Sequence, residues 1–181
     1  MDVLSLASGN PGFPPALNKY LADKAQPVIA ALGCVELLRE NKTGLFCSVK
    51  CPGTAILRAF DLGRELAATG ATLISGFHSP VEQEMLAQLL RGKGKAILCP
   101  ARSLDKFRVP SAWRDALAQG RMLLLSPFSG PAHSRQTARR ATLRNEFVAT
   151  LADEIIIVHA TPGGHTETLA RVWATKGIVI K

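Results

Sequence analysis

Three stretches of this 181-residue chain carry residue types and spacings suited to holding an anion. The first is His159-Ala160-Thr161-Pro162-Gly163-Gly164-His165-Thr166-Glu167-Thr168. Its paired glycines let the backbone curl, and hydroxyl residues follow where a helix begins. Exposed N–H groups and the helix dipole at such a turn attract negative charge. The same residues also suit a plain strand-to-helix turn with Thr166 as N-cap. The second stretch, Ser48-Val49-Lys50-Cys51-Pro52-Gly53, supplies a hydroxyl, a cation and a helix start. It has neither G-x-G-x-x-G nor G-x-x-x-x-G-K spacing, which argues against a standard dinucleotide or ATP site. The third is the run Arg135, Arg139, Arg140 and Arg144, in which Arg140 and Arg144 stand one helical turn apart and share a face. A guanidinium fork donates two bonds at once and so matches phosphate. A solvated helix face is the plainer reading of such a run.

Other chemistry finds less support. His78, His159 and His165 fall in loops, and no H-E-x-x-H or comparable spacing joins them, so no metal site is expected. His165 beside Glu167 is placed to touch a ligand. Ser126 and Ser134 lack the G-x-S-x-G elbow of a serine hydrolase. The four cysteines (Cys34, Cys47, Cys51, Cys99) are not spaced as a zinc site and read as free thiols. The N-terminus has no basic segment before an apolar run, so no signal peptide is visible, and a reduced, cytoplasmic protein is the default expectation.

These loops must be held by regular elements. With 47% hydrophobic residues the chain is too apolar for a solvated coil, and no apolar run is long enough to span a bilayer. Short apolar runs recur at Gly44–Ser48, Ala71–Ser75, Ala96–Cys99, Met122–Ser126, Ile155–Val158 and Gly177–Ile180. Their near-continuous apolar character predicts strands covered on both faces. Helical stretches alternate with them. One carries Ile56, Ala59, Phe60, Gly63 and Ala67 on a face and ends at Gly70. Another opens with the capping box Ser79-Pro80-Val81-Glu82 and buries Val81, Met85, Leu86 and Leu89. A short one runs from near Ser111 to Gly120, one carries Leu143, Phe147 and Leu151, and the last spans Thr166 to Thr175. This alternation predicts an α/β fold, a doubly wound, mostly parallel sheet in three α/β/α layers. Residues 1–42, with turn formers at Gly9–Pro15 and short helical or mixed pieces at Ala16–Ala22 and Val28–Glu40, read as an extension packing on a core of residues 43–181. Ligands in such sheets sit at the carboxyl ends of strands. That singles out the loops at Ser48–Gly53, Gly76–Pro80, Pro100–Pro110, Pro127–Thr137 and His159–Thr166. Arg91-Gly92-Lys93-Gly94-Lys95 falls at the opposite edge. With 22 Lys+Arg against 14 Asp+Glu, the net charge of +8 favours polyanionic partners.

Taken in order, FPPALNKYLADKAQPVIAALGCVELL, TGLFCS, SGFHSPVEQEML, LLLSPF, LRNEFVATLADEIIIVHA and GGHTETLA resemble the DprA/Smf DNA-processing family, from about Phe13 onward. The resemblance implies a Rossmann-like domain of the SLOG superfamily, single-stranded DNA as partner, a homodimer, delivery of DNA to RecA in recombination or transformation, and no cofactor. Ser48 matches the serine of the family's G-S-R loop, with Cys47 and Val49 in place of its glycine and arginine and Lys50 as the nearest cation. Ser75 and Gly76 match an S-G pair, and Ser79 stands where the family has an arginine. Arg144 and Asn145 match an R-N pair, and Gly164, His165 and Thr168 lie on an S-G-S-x-x-T segment. The expected phosphate contacts are therefore Ser48, Lys50, Gly53, Ser75, Gly76, His78, Arg140, Arg144, Asn145, Gly163, Gly164, His165, Thr166 and Thr168. Pro162-Gly163-Gly164-His165-Thr166-Glu167 also resembles the P-G-G-x-G-T-x-x-E motif of the LOG-type phosphoribohydrolases. That resemblance implies an alternative, a nucleotide-binding protein or a nucleoside 5'-monophosphate hydrolase with Arg144 and Glu167 as its catalytic pair.

Overall fold

The computed structural model describes residues 2–9, 13–21, 28–130 and 137–181, of residues 19–21 the backbone only. Its strands are β1 (Leu4–Ala7), β2 (Val28–Gly33), β3 (Lys42–Cys47), β4 (Thr72–Ser75), β5 (Lys95–Leu98), β6 (Met122–Ser126) and β7 (Glu154–His159). They form one 7-stranded sheet in the order β1-β2-β6-β5-β4-β3-β7. From β6 through β7 all neighbours run parallel, while β2 lies antiparallel to both β6 and β1. Every residue of β4 and β6 is buried, as expected of strands roofed on both faces.

Helices α1 (Ala16–Leu21), α2 (Gly53–Thr69), α3 (Pro80–Arg91), α4 (Arg114–Ala118), α5 (Ala138–Leu151) and α6 (His165–Thr175) complete the layers. One apolar cluster joins α2, α3 and α4 to the sheet through Ala59, Met85, Leu89 and Leu117. The cluster on the other face gathers Leu17 of α1, Phe147 and Val148 of α5 and Trp173 of α6. There the Trp173 ring lies 4.5 Å from that of Phe46. The capping box at α3 is complete: Ser79 Oγ accepts from the Glu82 N–H, and the Glu82 carboxylate accepts from the Ser79 N–H.

Several expectations need correction. Val28–Glu40, expected to be helical or mixed, is mixed: β2 is followed by a 3-10 helix at Val35–Arg39. The first 42 residues thus contribute two strands to the same sheet as the rest. Gly177–Ile180 is not a strand, because the Ile178 N–H turns back to Trp173 O and leaves a single bridge, Ile155 to Ile180. The buried stripe of α2 is Ala55, Ala59, Gly63 and Ala67, small residues that admit close packing against α3. Ile56 and Phe60 therefore end on the rim, and Leu143 of α5 is likewise exposed.

The start of β3 is tied to the turn before β7 by Asp153, whose Oδ2 accepts from Lys42 N–H (2.7 Å) and Lys42 Nζ (3.0 Å). Partial burial pushes the Asp153 carboxyl up, but the two Lys42 donors outweigh it and hold the group below its ordinary value. A depressed carboxylate stabilises the fold above about pH 3.9 and loses that contribution as pH falls through its folded value. The side chain is more than half exposed, so the contribution is about 1 kcal/mol or less. Asp153→Asn is expected to lower Tm at pH 7 by about 2–4 °C or less. Thermal scans at pH 7 and pH 3 should show that gap closing in acid, and an equal gap at both would contradict the assignment.

Candidate functional site

The carboxyl end of β3 and the loop after β4 are gathered around one buried carboxylate. Glu82, 5% exposed, accepts from the Cys47 N–H at the end of β3 (2.8 Å) and from the N–H groups of His78 (2.7 Å) and Ser79 (3.2 Å). Burial pushes its carboxyl up, opposed by those N–H donors and by the charge of Arg144. Arg144 is itself 7% exposed, and its burial lowers the guanidinium's pKa while Glu82 opposes that shift. Its Nε donates to Asn145 Oδ1 (2.7 Å) and Nη1 reaches Cys99 O (3.5 Å). A Cβ on Gly76 would lie 1.3 Å from Arg144 Nη1, so only glycine lets the guanidinium lie across the end of β4. Ser75 and Ser126, the last residues of β4 and β6, each accept from the N–H two residues on, at Phe77 and Phe128. Each also donates to a carbonyl, Leu45 O and Arg102 O respectively. The Ser75 hydroxyl is therefore engaged within the fold. That bond helps hold Phe77 at φ +44, a left-handed conformation uncommon for an aromatic residue.

Arg144 opens onto a cavity of about 1020 Å³, walled by Gly76, Phe77 and His78 after β4, by Gln83, Leu86, Leu90 and Arg91 along α3, and by Arg102, Phe107, Trp113 and Asp115 after β5. The loop after β5 is anchored by Leu104, fully buried, and turned by the Ser103 hydroxyl accepting from Asp105 N–H. It presents a stack: the Arg102 guanidinium lies 4.8 Å from the Phe107 ring centroid, and Phe107 lies 6.4 Å from Trp113 at 18° between planes. A flat, cation-backed aromatic surface of this kind suits another flat π-system. Arg102, Phe107 and Trp113 were not among the expected contacts, although Arg102 and Phe107 lie in the expected loop Pro100–Pro110 and Trp113 just beyond it. Aromatics interleaved with cations in PARSLDKFRVPSAW are the signal for them.

The strand order reverses between β3 and β7, where open α/β sheets commonly bind ligands. The Ser48 and Gly163 loops do meet here. A register shift at Phe46/Cys47 brings Ser48 N–H to His159 O (2.9 Å), Ser48 Oγ accepts from Thr161 N–H (3.0 Å), and Thr161 Oγ1 donates to Lys50 O (3.3 Å). The chain itself uses part of the expected amide cradle. Gly163 (φ +70) donates to Glu167 Oε2 (2.8 Å), and Gly164 donates to Thr161 O (2.9 Å). Gly164, not Thr166, is the N-cap of α6. The Gly163 N–H and the Arg171 ion pair hold the half-buried Glu167 carboxyl below its ordinary value. Thr168 Oγ1 donates to Gly164 O, and His165 Nε2 contacts Thr142 Oγ1 of α5 (3.1 Å). Lys50 and Gly53 are exposed.

Arg144, Gly76 and His78 thus stand on the large cavity, whereas Ser48, Lys50 and the Gly163–Thr168 segment belong to the β3–β7 crevice. Glu167 is not on the wall of the cavity that Arg144 lines. Arg140 faces Phe128, its guanidinium 5.3 Å from the ring, and so parts company with Arg144 despite the shared helix. Arg91, placed by sequence at the edge opposite the expected ligand loops, reaches the cavity wall. Ser134 and Arg135 lie outside the described residues. Among the described residues no cluster of three metal-ligating groups occurs, and no helix is long and apolar enough to cross a membrane.

Glu82→Ala should strip the acceptor from three N–H groups and leave Arg144 without its opposing charge, a loss of about 2 kcal/mol or more. Urea unfolding measures it, and a change under about 0.5 kcal/mol would contradict a stitching role for this carboxylate.

Comparison with known proteins agrees with the architecture. DNA processing protein A from Streptococcus pneumoniae superposes with a TM-score of 0.77 at 17% identity, over 99% of this chain and 62% of that one. This chain therefore spans less than two thirds of that protein. DNA processing protein A from Helicobacter pylori, described by its single-stranded DNA binding mode, gives 0.72 at 22% identity over 97% and 79%. The molybdenum cofactor carrier protein of Chlamydomonas reinhardtii gives 0.51 at 15% identity over 78% and 75%. At these identities the likeness speaks for the α/β, Rossmann-like fold alone. No curated protein matches the chain. A family model described as DNA recombination-mediator protein A, however, matches residues 5–176, from the first strand to just past the last helix. The chain belongs to the DNA recombination-mediator protein A family.

Proposed function

We propose that the protein binds single-stranded DNA in the cavity beside Arg144, as a recombination mediator that delivers the strand to a RecA-type recombinase and works as a homodimer. One observation carries the DNA reading: the Arg102–Phe107–Trp113 stack stands on the wall of the same cavity as the buried Arg144 guanidinium. A base lies on the aromatic surface, and Arg144, Arg102 and His78 answer the phosphates on either side. The net charge of +8 draws the polyanion in. The single-stranded DNA binding described for the Helicobacter pylori relative supports the choice of ligand. The Ser48 and Gly163 loops, with Lys50 and Arg140, extend the path of the backbone past the cavity mouth. Contacts of this kind ignore base identity, so sequence preference is slight and salt dependence steep.

Fluorescence anisotropy with a labelled oligothymidylate tests this. Affinity should fall with salt by about 0.7 log units per log unit for each phosphate neutralised. Phe107→Ala should weaken binding by about tenfold, the scale of one lost base stack of 1–3 kcal/mol, with the folded state intact. Unchanged affinity in Phe107→Ala, or no binding near 50 mM salt, would reject the cavity as the DNA site.

The nucleoside monophosphate hydrolase reading is tested separately by incubating the protein with AMP. Because Glu167 is bonded to Gly163 and Arg171, away from the wall that Arg144 lines, no free adenine is expected. Adenine release that disappears in Glu167→Gln would restore that reading.

A further inference from the structure

Away from the large cavity, α2 and α3 leave a groove along their outer seam. One half is a basin of about 730 Å³, with Phe60 and Arg64 of α2 on one side, Glu84, Gln88 and Arg91 of α3 on the other, and Lys93 at its end. The other half is a recess of about 130 Å³ walled by Ile56, Ala59, Val81 and Met85. Phe60, Glu84 and Gln88 border both halves. Here α2 turns small residues towards α3, and a Cβ on Gly63 would run into Gln88 Oε1. Gln88 is 9% exposed, and its Oε1 and Nε2 are both buried without a hydrogen-bond partner. Among the described residues no other buried side-chain polar atom is left in that state. A carboxamide so placed is costly until something meets it.

We propose that this groove binds a short extended segment of a partner protein in which an apolar residue is flanked by acidic ones. Three features of the groove each match one feature of such a peptide. The apolar recess has room for one side chain, and the half-exposed rings and branches of Phe60 and Ile56 stand at its mouth. In an extended chain the N–H and C=O of one residue point the same way, so a single carboxamide can accept from one and donate to the other. The terminal torsion of a glutamine is broad, which lets Gln88 turn to meet a backbone laid over it. The charge complements carboxylates: Arg91 is already paired with Glu84 (2.8 Å), whereas Arg64 and Lys93 form no ion pair among the described residues. A nucleic acid strand fits less well, because Glu84 stands against its phosphates and the recess is lined by aliphatic groups. Of the groups named, only Arg91 also lines the cavity assigned to DNA, and the inference does not rest on that assignment.

A fluorescein-labelled hexapeptide, Asp-Asp-Leu-Phe-Asp-Asp, titrated into the full chain near 50 mM salt and read by anisotropy provides the test. It should bind saturably. The same peptide with Gly-Gly for Leu-Phe, or with Lys for every Asp, should bind more weakly by about tenfold or more. Gln88→Met keeps the length of the side chain and removes its carboxamide. It should leave Tm unchanged or raised, since an unmet polar group is lost, yet weaken the peptide by about fivefold or more. A purely structural role for Gln88 would move Tm and leave affinity alone. Arg64→Glu, at an exposed position, should cut peptide affinity by about tenfold and leave oligothymidylate binding as it was. No saturable binding, equal affinity for the Gly-Gly peptide, or wild-type peptide affinity in either variant would overturn the proposal. So would a loss of oligothymidylate rather than peptide affinity in Arg64→Glu, which would give the groove to nucleic acid.

Discussion

A carboxylate withdrawn from water and held by three backbone N–H donors is the constraint on which this end of the molecule depends. Glu82 is a helix cap by sequence, yet one of its oxygens reaches across to the Cys47 N–H at the end of β3. The same group therefore fixes the start of α3, the loop after β4 and the end of the neighbouring strand. Burying it without compensation is costly, and the N–H donors and the nearby Arg144 charge supply that compensation. Arg144 in turn can lie where it does only because residue 76 lacks a side chain. Removing any one of these groups exposes the cost carried by the others.

Two neighbouring recesses follow from the strand order. The reversal between β3 and β7 makes a crevice, and it is largely stitched shut by the chain's own groups: Ser48 with His159 and Thr161, and Gly163 with Glu167. The roomier cavity stands over β4 and β5, where α3 and the loop leading to α4 diverge. Its chemistry is mixed, with a buried cation at one end and a cation-backed aromatic stack on the wall. A ligand that alternates charge and flat apolar rings matches that wall better than a free anion does.

Much of the frame was legible in the sequence. Continuous apolar runs marked β3 to β7 because such strands have no solvent face, and the capping box marked α3 to the residue. The antiparallel pair β1 and β2 escaped, since VIAALG is an apolar run whose period fits a helix as well as a strand. Arg144 was legible as a phosphate candidate, but its separation from Arg140 was not: burial beside Gly76 and contact with Phe128 are decided by distant residues. Glu167 stands at the third residue of α6, where a carboxylate commonly reaches back to a free N–H, so the use of the Gly163 amide was available from local spacing. Phe107 and Trp113 were not legible as a pair, because the spacing of residues 107 and 113 alone does not show that the two rings stack.

The most direct measurement is the emission of Trp113 during titration with an oligothymidylate. The chain has 2 tryptophans, and Trp173 is buried against Phe46 on the opposite face of the sheet, so a change in emission reports on the cavity. A base seated beside Phe107 should quench Trp113 with the same midpoint that anisotropy gives, and Trp113→Phe should abolish the signal. Tight binding by anisotropy with unaltered emission would show that the strand lies elsewhere.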